Sequence, residues 1–195
     1  MKYIALSFFS CILFIHEGQA QKTKKIFNGK NLDGWHSSEP NKGNWTVEKG
    51  ILHVKSSEDK KGSILWTEKE YTDFIVEADY KDISGTVDTG IFLRSEKDQI
   101  QIGISGSLKR DMTGSPYIPG KSYPVEAKVE GVLKPMDWNH IKVKLQGDTY
   151  TVWLNGKEVM TYSSEDLPEK GPVGLQLHPN RVMAVDYKNI KLAEI

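Results

Sequence analysis

From Trp45 to the C-terminus, apolar and polar residues alternate with a period of two in short runs, each closed by a turn signal. No amphipathic helical run of convincing length interrupts them. Successive side chains of a strand point to opposite faces, so such a chain buries its apolar residues only by pairing strands into sheets and turning one face of each sheet inward. The runs are Trp45 to Val47, Ile51 to Lys55, Ser63 to Trp66, Phe74 to Tyr80, Thr89 to Arg94, Gln99 to Ile104, Asn139 to Gln146, Thr149 to Leu154, Val173 to His178 and Val182 to Leu192. Glu48-Lys49-Gly50 turns Trp45 to Lys55 into a hairpin. Asn155-Gly156 is the strongest turn signal, because Asn-Gly tolerates the positive φ angles of a two-residue hairpin. The expectation is an all-β fold of two packed antiparallel sheets.

The segment from Asp88 to Gly120 joins a patterned strand pair to a loop dense in reactive side chains. If Thr89 to Arg94 and Gln99 to Ile104 pair around a loop of Ser95 to Asp98, then Ile91, Leu93, Ile100, Ile102 and Ile104 share the core face. Gly90, Phe92, Arg94, Gln99, Gln101 and Gly103 share the other. That pairing sets Arg94 across from Gln99, Phe92 across from Gln101 and Gly90 across from Gly103. Glycine weakens a strand unless something must approach the backbone closely, so this face suits a polyhydroxylated ligand lying on the sheet. A wet face with a structural arginine is the competing reading. Val173 to His178 repeats the theme, with Val173, Leu175 and Leu177 on one side and Gly174, Gln176 and His178 on the other. If both stretches belong to one sheet, Arg94, Gln101, Gln176 and His178 line a common concave surface. The insertion from Ser105 to Gly131 carries Lys109, Arg110, Asp111, Tyr117 and Glu126 among the anchors Pro116, Ile118, Pro119 and Pro124, and a stretch so anchored is expected to be ordered.

Lys2, the apolar run Tyr3 to Ile15 and the small residues Gly18 and Ala20 read as an export signal cleaved after Ala20, with residues 21–195 as a single periplasmic or extracellular sandwich domain. The apolar run is too short for a membrane span, and no later segment is long enough. Cys11, the only cysteine, would leave with the signal. A lipoprotein signal places its cysteine directly after the cleavage point, and Phe8-Phe9-Ser10-Cys11 is a poor version of that, so lipid anchoring is not expected. Lys plus Arg and Asp plus Glu number 26 each, and neutrality without a basic block argues against nucleic acid as a partner. His36, His53, His140 and His178 lack zinc-ligand spacing. A structural calcium on loop oxygens is compatible with a sandwich, although no Asp-rich loop names its site.

Phe27-Asn28-Gly29-Lys30-Asn31-Leu32-Asp33-Gly34-Trp35 resembles the start of a family of exported bacterial proteins associated with 3-keto-disaccharide hydrolase and 3-keto-glucoside lyase activity. The resemblance continues through Trp45-Thr46-Val47-Glu48, Tyr71-Thr72-Asp73-Phe74, Gly90-Ile91-Phe92-Leu93-Arg94, Trp138-Asn139, Trp153-Leu154-Asn155-Gly156 and Gly171-Pro172-Val173-Gly174-Leu175-Gln176-Leu177-His178. It implies a jelly-roll sandwich similar to the concanavalin A-like lectins and glucanases, a sugar site on the concave sheet and a glycoside oxidised at carbon 3 as substrate. Where many members carry a glutamate and an aspartate on the second central strand, this chain has Gln99 and Ile104. Chemistry that depends on those two acids does not carry over.

A ketone at carbon 3 acidifies the hydrogen on carbon 2, so the glycosidic bond can break by elimination through an enolate. This requires a base, a donor or cation at the enolate oxygen and an acid for the leaving oxygen. His178 is the first candidate base, with Glu126 or Asp111 as substitutes. Arg94 is the candidate for the enolate oxygen or for orienting hydroxyls, and Lys109 is the second. Tyr117 serves as acid or stacking platform, Gln99, Gln101 and Gln176 read hydroxyls, and Phe92 supplies an apolar contact. Two other readings compete. A sugar-binding module without catalysis accounts for the missing acids. Direct glycoside hydrolysis would use Glu77 and Asp79, which share a strand face about 7 Å apart, where retention needs paired carboxylates about 5 Å apart. Trp35, Trp66 and Trp138 are stacking platforms or buried core tryptophans.

The export reading makes a direct prediction. N-terminal sequencing of the protein recovered from the periplasm or medium returns Gln21 as the first residue, and a mature chain that retains Cys11 contradicts it.

Overall fold

The computed structural model describes residues 22–41 and 43–195. The export signal assigned to residues 1–20 lies outside the described residues. Among the described residues fourteen strands form two antiparallel sheets: β1 (Lys24–Lys25), β2 (Trp35–Ser37), β3 (Trp45–Glu48), β4 (Ile51–Lys55), β5 (Ser63–Thr67), β6 (Phe74–Gly85), β7 (Asp88–Leu93), β8 (Gln99–Gly103), β9 (Pro116–Tyr117), β10 (Asn139–Gln146), β11 (Thr149–Leu154), β12 (Lys157–Ser163), β13 (Val173–Leu177) and β14 (Met183–Glu194). One sheet has the order β12-β11-β10-β6-β14-β4-β3, with β1 beside β14; the other runs β2-β5-β13-β7-β8-β9. The fold is a jelly-roll sandwich of the concanavalin A-like kind, as the alternation and the resemblance imply.

Period-two patterning sets each strand's inner face. On β6, Phe74, Val76, Ala78 and Tyr80 are buried while Ile75, Glu77, Asp79 and Lys81 are partly exposed. On β10 and β11, Ile141, Val143, Leu145, Tyr150, Val152 and Leu154 meet them in the same core. From the facing sheet come Ile91, Leu93, Ile100, Ile102, Val173, Leu175 and Leu177, each at most 1% exposed, as their alternation requires. Three polar contacts cross this core. Trp45 Nε1 donates to Ser63 Oγ at 2.8 Å, Tyr150 Oη donates to Asp98 Oδ1 at 3.0 Å, and the hydroxyls of Tyr187 and Thr89 lie 3.2 Å apart. Each aromatic side chain thus buries its ring and still satisfies its polar tip.

Two features of β7 and β8 differ from the sequence reading. The register is shifted by two residues: Phe92 faces Gln99, Gly90 faces Gln101 and Asp88 faces Gly103. A slip of two keeps every side chain on its face, which is why alternation alone could not detect it. Its effect is to end β7 at Leu93, whose N–H donates to the Asp98 carbonyl, and to place Arg94 in the loop at φ 60°. The second difference concerns the glycines. A Cβ at Gly90 would lie 2.3 Å from Gln99 Nε2, and one at Gly174 would lie 2.5 Å from the Trp66 ring. The close approach that requires glycine comes from the protein's own side chains.

β12 is absent from the alternating runs because Val159 and Met160 are both buried while Lys157, Glu158 and Thr161 are exposed, a pattern without clean period two. The insertion is ordered, as its anchors imply. Ile104 bridges to Asp111, β9 pairs with β8, and Ile118 bridges to Ser122. Thr113 Oγ1 accepts from Gly103 N–H and Ser115 Oγ accepts from Ala127 N–H.

Asp82 continues the inner row of β6 opposite Val185. Its Oδ1 is buried without a partner among the described residues. Burial first, and the neighbouring Asp111 carboxylate second, push the Asp82 carboxyl up to about 6. A carboxyl raised in the folded state binds its proton more tightly there than in the unfolded chain, where an aspartate titrates at about 3.9. Its contribution to stability is therefore fully present in acid and is lost as pH rises from about 4 to about 6. Asp82→Asn removes this dependence. The difference in melting temperature between variant and wild type should move in the variant's favour across that window and stay constant above it. A difference independent of pH contradicts the assignment.

Candidate functional site

β13 lies between β5 and β7, so the outward faces of β13, β7 and β8 form one surface. On this surface a cleft of about 360 Å³ opens between the insertion and the turn after β13. Its lining is Asp88, Gln99, Gln101, Gly106, Ser107, Tyr117, Tyr123, Gln176, His178 and Arg181.

At its floor is Asp88, the first residue of β7, with its side chain 4% exposed. Oδ1 accepts from Gln101 Nε2 at 2.9 Å and Oδ2 accepts from Arg181 Nε at 3.0 Å, with Arg181 Nη2 also 3.0 Å away. A carboxylate this buried requires a cation and donors beside it. Gln101 turns its other end to the loop, where Tyr123 Oη donates to Gln101 Oε1 at 3.2 Å. Burial raises the Tyr123 phenol, and Asp88 and Tyr117 add to the rise against the lowering effect of Ser105. Tyr123 therefore keeps its proton at neutral pH. The Tyr117 ring lies 5.3 Å from it, tilted by 57°. On the other wall, Gln99 Nε2 donates to Gln176 Oε1 at 2.8 Å.

His178 follows β13 at the rim, with its side chain 34% exposed. Nδ1 lies 2.6 Å from the Pro179 carbonyl oxygen, which can only accept. That bond fixes the proton on Nδ1, and in the neutral ring it leaves Nε2 with a free lone pair. Nε2 is 3.8 Å from Asp88 Oδ2. A proton taken up on Nε2 thus arrives beside a carboxylate.

Five of the residues singled out from the sequence come together here: Gln99, Gln101, Tyr117, Gln176 and His178. Phe92 lies in an adjoining hollow of about 610 Å³ that shares Gln176 and His178 with the cleft and contains Ile64 and Glu96. Its ring is 5.6 Å from that of Trp66.

Arg94 is elsewhere. The two-residue slip takes it off the strand, and its guanidinium turns to the end of the sandwich. There Nε donates to Thr72 O at 2.7 Å, Nη1 donates to Gly147 O at 2.8 Å and Pro168 O at 3.0 Å, and Nη2 reaches Thr72 O and, at 3.0 Å, Asp73 Oδ1. It is 4% exposed and ties three loops together. Glu126 forms an exposed fork with Arg110. Asp111 accepts from Thr113 N–H at 2.8 Å and faces Asp82, and Lys109 is exposed on the loop. None of these four lines the cleft. Glu77 and Asp79 lie on the facing sheet, where Glu77 meets Thr23 and Lys191 and Asp79 meets His140 and Asn189. Trp35 is buried with its Nε1 on Ile26 O at 2.8 Å, and Trp138 lies under Lys188.

The sequence reading did not assign Asp88, Tyr123 and Arg181 to the site. Asp88 has the parity of Gly90 and Phe92 and would have joined the polar face had the strand been extended by one residue. Tyr123 carried the same signal as Tyr117. Arg181 follows Pro179-Asn180, and nothing in that turn shows that its side chain folds back over β7. Among the described residues no three or more His, Cys, Asp or Glu side chains are grouped to hold a metal ion.

A family model described as the 3-keto-alpha-glucoside-1,2-lyase-like domain matches residues 22–193. The chain belongs to that family. No curated protein matches the sequence. Among solved structures, a protein from Parabacteroides distasonis provisionally named a glycosyl hydrolase is 25% identical at TM-score 0.66, covering 89% of this chain and 100% of that one. The carbohydrate-binding module CBM66 of Bacillus subtilis shares the fold at 15% identity and TM-score 0.55, covering 83% of this chain and 96% of that one. So does the exoplasmic/lumenal domain of VIP36, solved with Ca²⁺ and Man3GlcNAc, at 11% identity and TM-score 0.61 over 89% and 90% of the two chains. This 3-keto-alpha-glucoside-1,2-lyase-like domain is a carbohydrate-active sandwich.

The position of Arg94 yields a prediction that separates stability from binding. Arg94→Met leaves three carbonyls without their donor and Asp73 without its cation, and should cost about 3 kcal/mol or more in chemical denaturation. Sugar binding by the folded fraction should stay within about twofold of wild type. A stable variant that has lost binding would return Arg94 to the site.

Proposed function

We propose that the cleft binds a neutral glycoside carrying a ketone at carbon 3 and breaks its glycosidic bond by elimination. The observation that carries this reading is the convergence on one cleft of a base, a cationic donor and a protonated phenol: His178, Arg181 through its Nη1, and Tyr123. His178 Nε2 takes the proton from carbon 2. The electron pair of that C–H bond moves toward carbon 3, and the developing enolate oxygen is held by Arg181, which takes the role first assigned to Arg94. The enolate then expels the glycosidic oxygen from carbon 1, leaving a double bond between carbons 1 and 2. Tyr123 gives its proton to the departing oxygen. Addition of water to that double bond in a later step completes a net hydrolysis.

Asp88 keeps Arg181 in place and lies beside the imidazolium formed on His178. Gln99 Oε1 and Gln176 Nε2, which take no part in the bond between those two amides, are left for hydroxyls, Gln101 holds Tyr123 and Asp88 in position, and Tyr117 offers an aromatic edge suited to a sugar ring. Each step above is assigned to side chains of this chain.

A second reading rests on a specific observation. The amide of Gln99, in the place where many members carry an acid, is spent on Gln176, and a cleft floored by amides binds sugar without chemistry. One experiment separates the two. With 4-nitrophenyl 3-keto-glucoside, wild type should release nitrophenol while 4-nitrophenyl glucoside stays intact. His178→Ala should lower kcat/KM about 100-fold or more and Tyr123→Phe about tenfold or more. Saturable binding without release supports the binding module, and cleavage of the unoxidised glucoside contradicts the elimination route.

A further inference from the structure

We infer that Asp88 is the residue that makes the cleft select uncharged sugars over anionic ones, by neutralising Arg181. The inference rests on the cleft being a sugar site and concerns which sugars it accepts. An arginine at the wall of a sugar cleft is normally an anion receptor, since its planar fork matches a carboxylate with two parallel hydrogen bonds. Here the fork is already engaged. Nε donates to Asp88 Oδ2 at 3.0 Å and Nη2 lies 3.0 Å from the same oxygen, so the edge that would grip a substrate carboxylate is turned to the floor.

The Arg181 side chain is 24% exposed, whereas that of Asp88 is 4% exposed. A ligand therefore meets the guanidinium directly and the carboxylate only through it. Among the described residues nothing accepts from Arg181 Nη1, which leaves neutral-acceptor donors for a hydroxyl or carbonyl. The remaining lining residues, apart from the His178 imidazole, carry no formal charge, so the pair sets the field of the cleft.

The loop holds this geometry from the other side. A Cβ at Gly106 would lie 2.0 Å from Arg181 Nη2 and 3.0 Å from Asp88 Oδ2, so the insertion packs its backbone on the guanidinium and keeps it against the carboxylate. Arg181 cannot swing out to meet a charged ligand without giving up its bond to Asp88 and losing that packing. A uronate entering the cleft would place its carboxylate near that of Asp88 without gaining a free fork. In Asp88→Asn the amide oxygen still accepts from Arg181 while the compensating charge is gone, and the guanidinium becomes an unbalanced cation at the wall.

The test uses a matched pair, 4-nitrophenyl glucoside and 4-nitrophenyl glucuronide, in both anomers. Neither has a ketone at carbon 3, so binding is read without elimination. By NMR titration at low salt, wild type should prefer the glucoside. Asp88→Asn should shift the ratio of dissociation constants toward the glucuronide by about tenfold or more, and the shift should shrink at about 0.5 M salt. Asp88→Asn/Arg181→Gln should lose the shift, because the unmasked charge is gone. A ratio unchanged in Asp88→Asn, with the glucoside still bound, overturns the role of Asp88 and leaves the sugar site standing. A shift retained in the double variant overturns it too. Wild type that binds neither of these ligands nor 4-nitrophenyl 3-keto-glucoside removes the sugar site itself, and this inference with it.

Discussion

The pairing register of β7 decides which side chains line the cleft. With Asp88 opposite Gly103 and Phe92 opposite Gln99, the strand begins one carboxylate early and ends before Arg94. The early start puts Asp88 beneath the cleft, where Gln101 and Arg181 close around it. The early end releases Arg94 to the edge of the sandwich, where it holds the loops before β6, after β10 and before β13. One arginine thus ties loops together, and another stands in the wall of the cleft. Had the strands paired two residues away, the same faces would be buried and the core would look the same, yet the cleft would lose its floor.

The rest of the site follows from that floor. A buried carboxylate is tolerable only if its lone pairs are satisfied, and the partners that satisfy Asp88 are the side chains a ligand would touch. Gln101 relays the constraint to Tyr123 on the insertion, and Arg181 relays it to the turn after β13. His178 owes its orientation to the Pro179 carbonyl and its electrostatic environment to Asp88. The cleft is thereby preorganised without a helix and without a disulfide among the described residues, on a sheet whose other face is a close-packed apolar core.

The fold was almost wholly legible because period-two alternation reports burial directly. Ten strands followed from it, and the four others are short, as with β1, β2 and β9, or irregular, as with β12. Face assignments survived even where register did not, since parity is insensitive to a slip of two. The site was legible in part. His178, Gln176, Gln101, Gln99 and Tyr117 line the cleft together, as the sequence groups them, because they lie on strands or beside one whose polar face could be read. Arg181 was not, because its reach depends on how the turn after β13 folds back over β7. Lys109, Asp111 and Glu126 lie off the cleft because charge density in a loop says nothing of direction: Glu126 is paired with Arg110, and Asp111 faces inward to Asp82. Gly90 and Gly174 were rightly seen as contact points, but the contacts are Gln99 and Trp66.

The central claim is that the glycosidic bond breaks through loss of the carbon 2 proton to His178. It is tested most directly with 4-nitrophenyl 3-keto-glucoside deuterated at carbon 2. Elimination requires that the released sugar has lost its deuterium to solvent, with a slower release from the labelled substrate when proton abstraction limits the rate. Release of nitrophenol with the deuterium retained at carbon 2 would contradict the account.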